Sequence, residues 1–336
     1  MKMKLSFLKQ RLCALIVCLL PFAGGSLQAV LIDVELSELS VTDAINLVAR
    51  QAKMDLQVEP ELETTGQRPD KLPWGPPNLQ LKLKQVAADQ VLESMAGAYG
   101  LVLDKSKGRN FVKLRFATKD ELVFKREPRA LPDPLKNHQK VPLLFFDDTP
   151  VMMVIETLAL QSGLNLMPSL ELSAGKNPQG VAWEDVLISL KIRNVTSQQA
   201  LEAVLDASGL TVDWSALGQV GVIYPVGRFT KPTATGAESV PPSKVAKTDF
   251  TLAELELEDF VKLIATQLEV NWMVSTAARA SVIGADKQPL MQSAISISQK
   301  GITPLSALQE VLKSKGLEFR WNPRSEVGVV DLIPTK

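Results

Sequence analysis

The 336-residue chain has two cysteines, one histidine and two tyrosines. Both cysteines, Cys13 and Cys18, fall within the first 18 residues. The remainder has no thiol, which excludes disulfide frameworks, cysteine nucleophiles and cysteine-rich zinc sites there. The single histidine, His138, lies between Asn137 and Gln139 without a catalytic companion. Charge of one sign is also missing: Lys+Arg and Asp+Glu number 37 each. No global basic footprint exists, so nucleic acid is not an expected partner. Beyond residue 29 no apolar run is long enough to span a bilayer, so no integral segment is expected there. The chain also lacks G-x-S-x-G, P-loop and H-E-x-x-H patterns. With no convergent acid–base set, no enzyme is expected, and neither a metal nor a cofactor. Asp147-Asp148 and the acids from Glu254 to Asp259 read as solvated turns and first-turn helix charges.

What is present begins with the first 29 residues. Lys2, Lys4, Lys9 and Arg11 precede a short apolar stretch, Leu12 to Phe22, and then Ser26-Leu27-Gln28-Ala29. This is the layout of a secretory signal peptide cleaved after Ala29. Leu12 and Val17 precede the two cysteines, so lipidation is not expected. Cleavage removes four basic residues and no acids, leaving 33 basic against 37 acidic, a net charge of −4. The expected product is exported, and periplasmic in a two-membrane bacterium.

The rest of the chain contains a repeat. Ile188, Leu190 and Ile192 alternate as a half-buried strand, Thr196 with Gln199 forms a T-x-x-Q capping box, and Gly209 offers a helix stop. The pattern recurs at Leu79, Leu81, Leu83, Val91, Met95 and Gly100, and at Ile295, Ile297, Ala307, Val311 and Gly316. Gln299 breaks the apolar alternation in the last copy. Upstream, Val41, Ile45, Val48 and Gln51 match Val151, Ile155, Leu158 and Gln161, and then Leu257, Val261, Ile264 and Gln267. Each set has the spacing of an amphipathic helix. The recurring glutamines read as polar residues at the edge of the apolar stripe. Asn194-Val195-Thr196 matches a glycosylation sequon but reads as a turn before a capped helix.

The expected fold class is α+β: three tandem βαββαββ modules of about 85 residues, small mixed sheets packed by two helices each. They are placed at 30–117, 140–226 and 247–336. Linkers are expected at 118–139 and 227–246, where charge, proline and small polar residues dominate. Such composition predicts modules held apart. A long loop separates the halves of each module, and two of these loops carry a tryptophan, Trp74 and Trp183. An exposed indole is a candidate partner anchor; the plainer alternative is a lid over the sheet.

The stretches VTDAINLVARQAKMDLQV, LQLKLKQVAADQVLESMAGAYGLVLD and LISLKIRNVTSQQALEAVLDASGLTVDW resemble the short secretin and TonB N-terminal domain, the N0-like module. The resemblance implies a periplasmic module that contacts other proteins. Because the sequence ends with the third copy, at Leu332-Ile333-Pro334-Thr335-Lys336, an array without a secretin or receptor barrel is expected. The expected function is a non-enzymatic periplasmic scaffold or docking protein that binds cell-envelope proteins, as part of a secretion or pilus system, with homo-oligomers an open option. The alternative is a small-ligand or glycan binder closing its tryptophan loops over a groove.

Overall fold

Two small sheets joined by two long helices recur three times along the chain. The computed structural model describes residues 31–60, 62, 79–104, 111–118, 139–214, 220–226, 246–283 and 287–333. The segment read as a signal peptide, Ala29, Trp74, His138 and most of both expected linkers lie outside the described residues.

In the first module, β1 (Leu31–Leu39) leads to α1 (Val41–Gln51) and β2 (Asp55–Val58). Then come β3 (Leu79–Ala87), α2 (Ala88–Ala98), β4 (Leu101–Asp104) and β5 (Phe111–Phe116). β1 pairs antiparallel with β3, while β5 is central between parallel β2 and antiparallel β4. The second module repeats this with β6 (Leu144–Pro150), α3 (Val151–Gln161), β7 (Leu166–Pro168), a short α4 (Leu170–Ala174), β8 (Leu187–Ile192), α5 (Ser197–Ala207), β9 (Leu210–Trp214) and β10 (Gly221–Pro225). Its sheets are β6-β8 and β7-β10-β9. The third has β11 (Thr248–Glu256), α6 (Leu257–Gln267), β12 (Asn271–Val274), a short α7 (Thr276–Ala280), the hairpin β13 (Val282–Ile283) and β14 (Gln288–Pro289), β15 (Ala294–Ile302), α8 (Pro304–Ser314), β16 (Leu317–Asn322) and β17 (Val327–Leu332). Its main sheets are β11-β15 and β12-β17-β16. The chain is α+β with small mixed sheets.

Local sequence explains the boundaries. Thr196 Oγ accepts the Gln199 amide at 3.1 Å, and Gln199 Oε1 accepts the Thr196 amide at 2.9 Å, a complete capping box that opens α5. Ser40 caps α1 and Thr303 caps α8, the latter with Pro304 at the first helical position. Gly100, Gly209 and Gly316 have φ of 67°, 66° and 74°, the left-handed geometry that releases the chain from each second helix into the next strand. Thr149-Pro150 has the same cap-then-proline sequence as Thr303-Pro304, yet these residues end β6, with Pro150 opposite Leu187, and α3 begins at Val151 without a side-chain cap. Asp147 and Asp148 lie in that strand at a bulge, where Ser189 Oγ accepts the Asp148 amide at 3.0 Å. Asn194 has a φ of 54°, in keeping with the turn reading.

The expectation of separated modules is not met. α2 of the first module lies against the outer face of β7 and β10, so Met167, Val220, Val222 and Tyr224 join the first module's core. α5 lies on β17 while β8 runs beside β12, bringing Met273, Val327 and Val329 into the second core. Each three-stranded sheet after the first is thus buried on both faces. Linker composition could not reveal this, because the contact belongs to the helix and the sheet.

Candidate functional site

The site is built at the second junction, from residues that differ between the three copies. One polar clamp is common to both junctions. Asn165, entering β7, accepts the Lys84 amide at 2.7 Å and donates to the Lys84 carbonyl at 3.0 Å. Asn271, at the start of β12, accepts the Arg193 amide at 2.8 Å and donates to the Arg193 carbonyl at 2.9 Å. A carboxamide is the side chain that can satisfy both backbone groups at once.

Ion pairs also join the second and third modules. Arg320 contacts Asp206 of α5 at 3.2 Å and Asp331 at 2.8 Å, and Arg324 meets Glu202 at 2.8 Å. Burial alone would lower the Arg320 pKa, but Asp206 and Asp331 outweigh it and hold the guanidinium above its ordinary value. Burial raises the Glu202 carboxyl, with Arg324 offsetting part of the rise. At the first junction burial drives the Tyr99 phenol far above its ordinary range, partly offset by the Ser173 hydroxyl of the second module.

Beside the second junction the outer face of β6-β8 and the helix α6 enclose a groove of about 850 Å³. One wall carries Phe145, Phe146 and Lys191; the other carries Lys262, Thr266 and Trp272. Phe145 is 60% exposed and its neighbour on the same face, Leu143, 47%. Lys140 reaches across the junction to Glu326 at 3.3 Å. Lys191, Arg193 and Lys262 enter no ion pair among the described residues.

The matching positions in the other copies are polar. In the first module Asp33 Oδ1 accepts the Gln85 amide at 2.8 Å, and Glu35 pairs with Lys82 at 3.3 Å. In the third, Asp249 Oδ1 accepts the Gly301 amide at 2.8 Å, and Thr251 stands opposite Ser298. By strand register Phe145, opposite Lys191, takes the place of Glu35 and Thr251, and Leu143, two residues before it, matches Asp33 and Asp249 in sequence. The second copy has given up a structural carboxylate and displays two large apolar side chains. Val141, bonded through its amide to the Val195 carbonyl at 2.8 Å, holds the strand start instead. Exposed apolar surface of this sort marks contact sites.

Of the two tryptophans considered as anchors, Trp74 lies outside the described residues and Trp183 is 2% exposed. Trp183 sits in a 3-10 turn, Trp183–Asp185, packed into the second core. It is a lid and not an exposed anchor, because its loop folds back over the helices. The glutamines do not converge either: Gln161 Oε1 accepts from Ser197 Oγ at 3.0 Å, while Gln267 is exposed. Among the described residues no three His, Cys, Asp or Glu side chains gather as metal ligands, and no helix is long and apolar enough to cross a membrane. Sequence reading missed Leu143, Phe145 and Trp272. Comparing the copies position by position would have flagged them, since Asp, Glu and Leu56 or Leu166 stand at the matching places.

Comparison with known protein families, curated proteins and solved structures returns no match.

Proposed function

We propose that this protein is a non-enzymatic docking protein of the bacterial cell envelope, acting in the periplasm. The observation that carries the reading is the Leu143–Phe145 face beside the junction groove, apolar only in the second copy. Its ligand is another protein: an apolar anchor fits against Phe145, and acidic residues beside that anchor meet Lys191, Arg193 and Lys262. β6 has no strand partner on its second edge among the described residues, which leaves backbone groups for an added strand. The likeness to N0-like modules and the signal-like first 29 residues support the envelope setting.

The test is photo-crosslinking in the producing cells, with the probe amino acid at position 145 and, as a control, at position 251. A discrete envelope protein captured from 145 and not from 251, and lost in Leu143→Asp, is the expected outcome. Equal capture at both positions, or none, would sink the proposal. Fractionation with N-terminal sequencing checks the setting: a periplasmic chain starting at Val30 is expected.

A further inference from the structure

We infer that the three-module stack is closed at both ends: the contact that joins its modules is blocked in the first and third, so copies do not extend one another head to tail. An interface between a helix face and the back of a sheet is heterologous, and repetition of it from chain to chain would produce open filaments. The same contact is used twice inside this chain, and its requirements can be read from those two cases.

On the helix side it needs small residues. Ser94 and Ala98 of α2, and Ala203 and Ala207 of α5, are all buried, on helices that lie against the following sheet. On the sheet side it needs apolar residues: Met167 with Val222, and Met273 with Val329, paired across parallel strands. Beside these it needs the asparagine that clamps a backbone amide and carbonyl.

Each requirement fails at the ends. In α8 the register places Glu310 where Ser94 and Ala203 stand, and Ser314 where Ala98 and Ala207 stand; both are exposed. Glu310 is held by the Gln299 amide, so the residue that interrupted the apolar alternation of β15 supports this cap. At the other end, Gln57 replaces the methionine and Lys113 the valine, still paired with each other across β2 and β5. Lys113 is engaged with Glu59 at 2.5 Å. Asp55 stands in the asparagine position. Its carboxylate could accept an amide but has no proton for a carbonyl, so against Lys300 of another copy it would set oxygen against oxygen. Large polar groups on both sides also keep helix and sheet from closing to packing distance. Terminal repeats with polar outer faces are how stacked arrays remain soluble and finite.

The consequence is that partners meet the side of the stack, where the groove lies, and its length stays fixed at three modules. Two full-length variants test this by sedimentation. One opens the first module's end, Asp55→Asn with Gln57→Met and Lys113→Val. The other opens α8, Glu310→Ala with Ser314→Ala. The wild-type protein and each variant alone are expected to sediment as monomers through 100-fold dilution, and a mixture of the two as a 1:1 dimer. Circular dichroism confirms that both are folded; if one is not, its single-site version, Gln57→Met or Glu310→Ala, replaces it. A mixture of folded variants that stays monomeric overturns the proposal. So does wild-type protein that forms concentration-dependent oligomers abolished by Glu310→Lys.

Discussion

At the scale of single residues, equivalent positions diverge according to what each touches. Gly221 and Gly328 occupy the same place on the central strands β10 and β17, opposite Trp214 and Trp321. A Cβ at Gly221 would meet the Val212 and Leu166 side chains at 2.6 and 2.7 Å, and one at Gly328 would enter the Phe319 ring. In the first module Val112 stands at this position on β5. Gly328→Ala should therefore destabilise the protein by about 1–3 kcal/mol in urea unfolding, the range for overpacking. A loss below about 0.5 kcal/mol would mean that the ring yields freely. The glycines were visible in the sequence, but the rings lying over them were not.

Among the elements, caps behave as their sequences foretell and contacts do not. Thr196→Ala removes the Thr196–Gln199 half of a complete capping box, and should cost about 1 kcal/mol by denaturant titration. Gln199→Ala should also loosen the second junction, because Gln199 Nε2 donates to the Arg324 carbonyl at 3.2 Å. Glu202 on the same helix gives a pH signature. Its folded pKa is raised by burial, so the folded state binds the proton more tightly than the unfolded chain does. Its contribution therefore favours folding in acid and falls as pH rises from the ordinary carboxylate value to the raised one. Glu202→Gln should remove that fall, seen as a flatter stability profile just above the usual carboxylate range. An unchanged profile would assign the fall elsewhere. Strand limits were harder to read than helix limits. Leu143-Leu144-Phe145-Phe146 reads as one apolar run, and only pairing with β8 decides that Leu144 is buried and Phe145 exposed.

For the whole molecule, the question is whether three modules behave as one. Their cores run together across both junctions, so a single cooperative transition is expected for the described stack. Met273→Glu places a charge on a residue 2% exposed that belongs to the second module's core. Calorimetry should then resolve two transitions, the third module melting first, while Leu263→Glu on an exposed face leaves one. A single transition in Met273→Glu would show that the junction carries little of the coupling. Asn271→Ala should act more mildly, by about 1 kcal/mol, since it removes two exposed hydrogen bonds; the emission of neighbouring Trp272 should shift to the red as the junction loosens. The α+β class, the helix starts at Ser40, Thr196 and Thr303, and the glycine exits are legible in the chain alone, because they depend on neighbours within four residues and on strict periodicity. Only the folded arrangement settles that Met167 and Met273 join the core of the preceding module, that Trp183 is a lid and that Phe145 faces solvent. Each of those outcomes depends on which surface is brought against the residue from another module or strand, and periodicity holds no record of that.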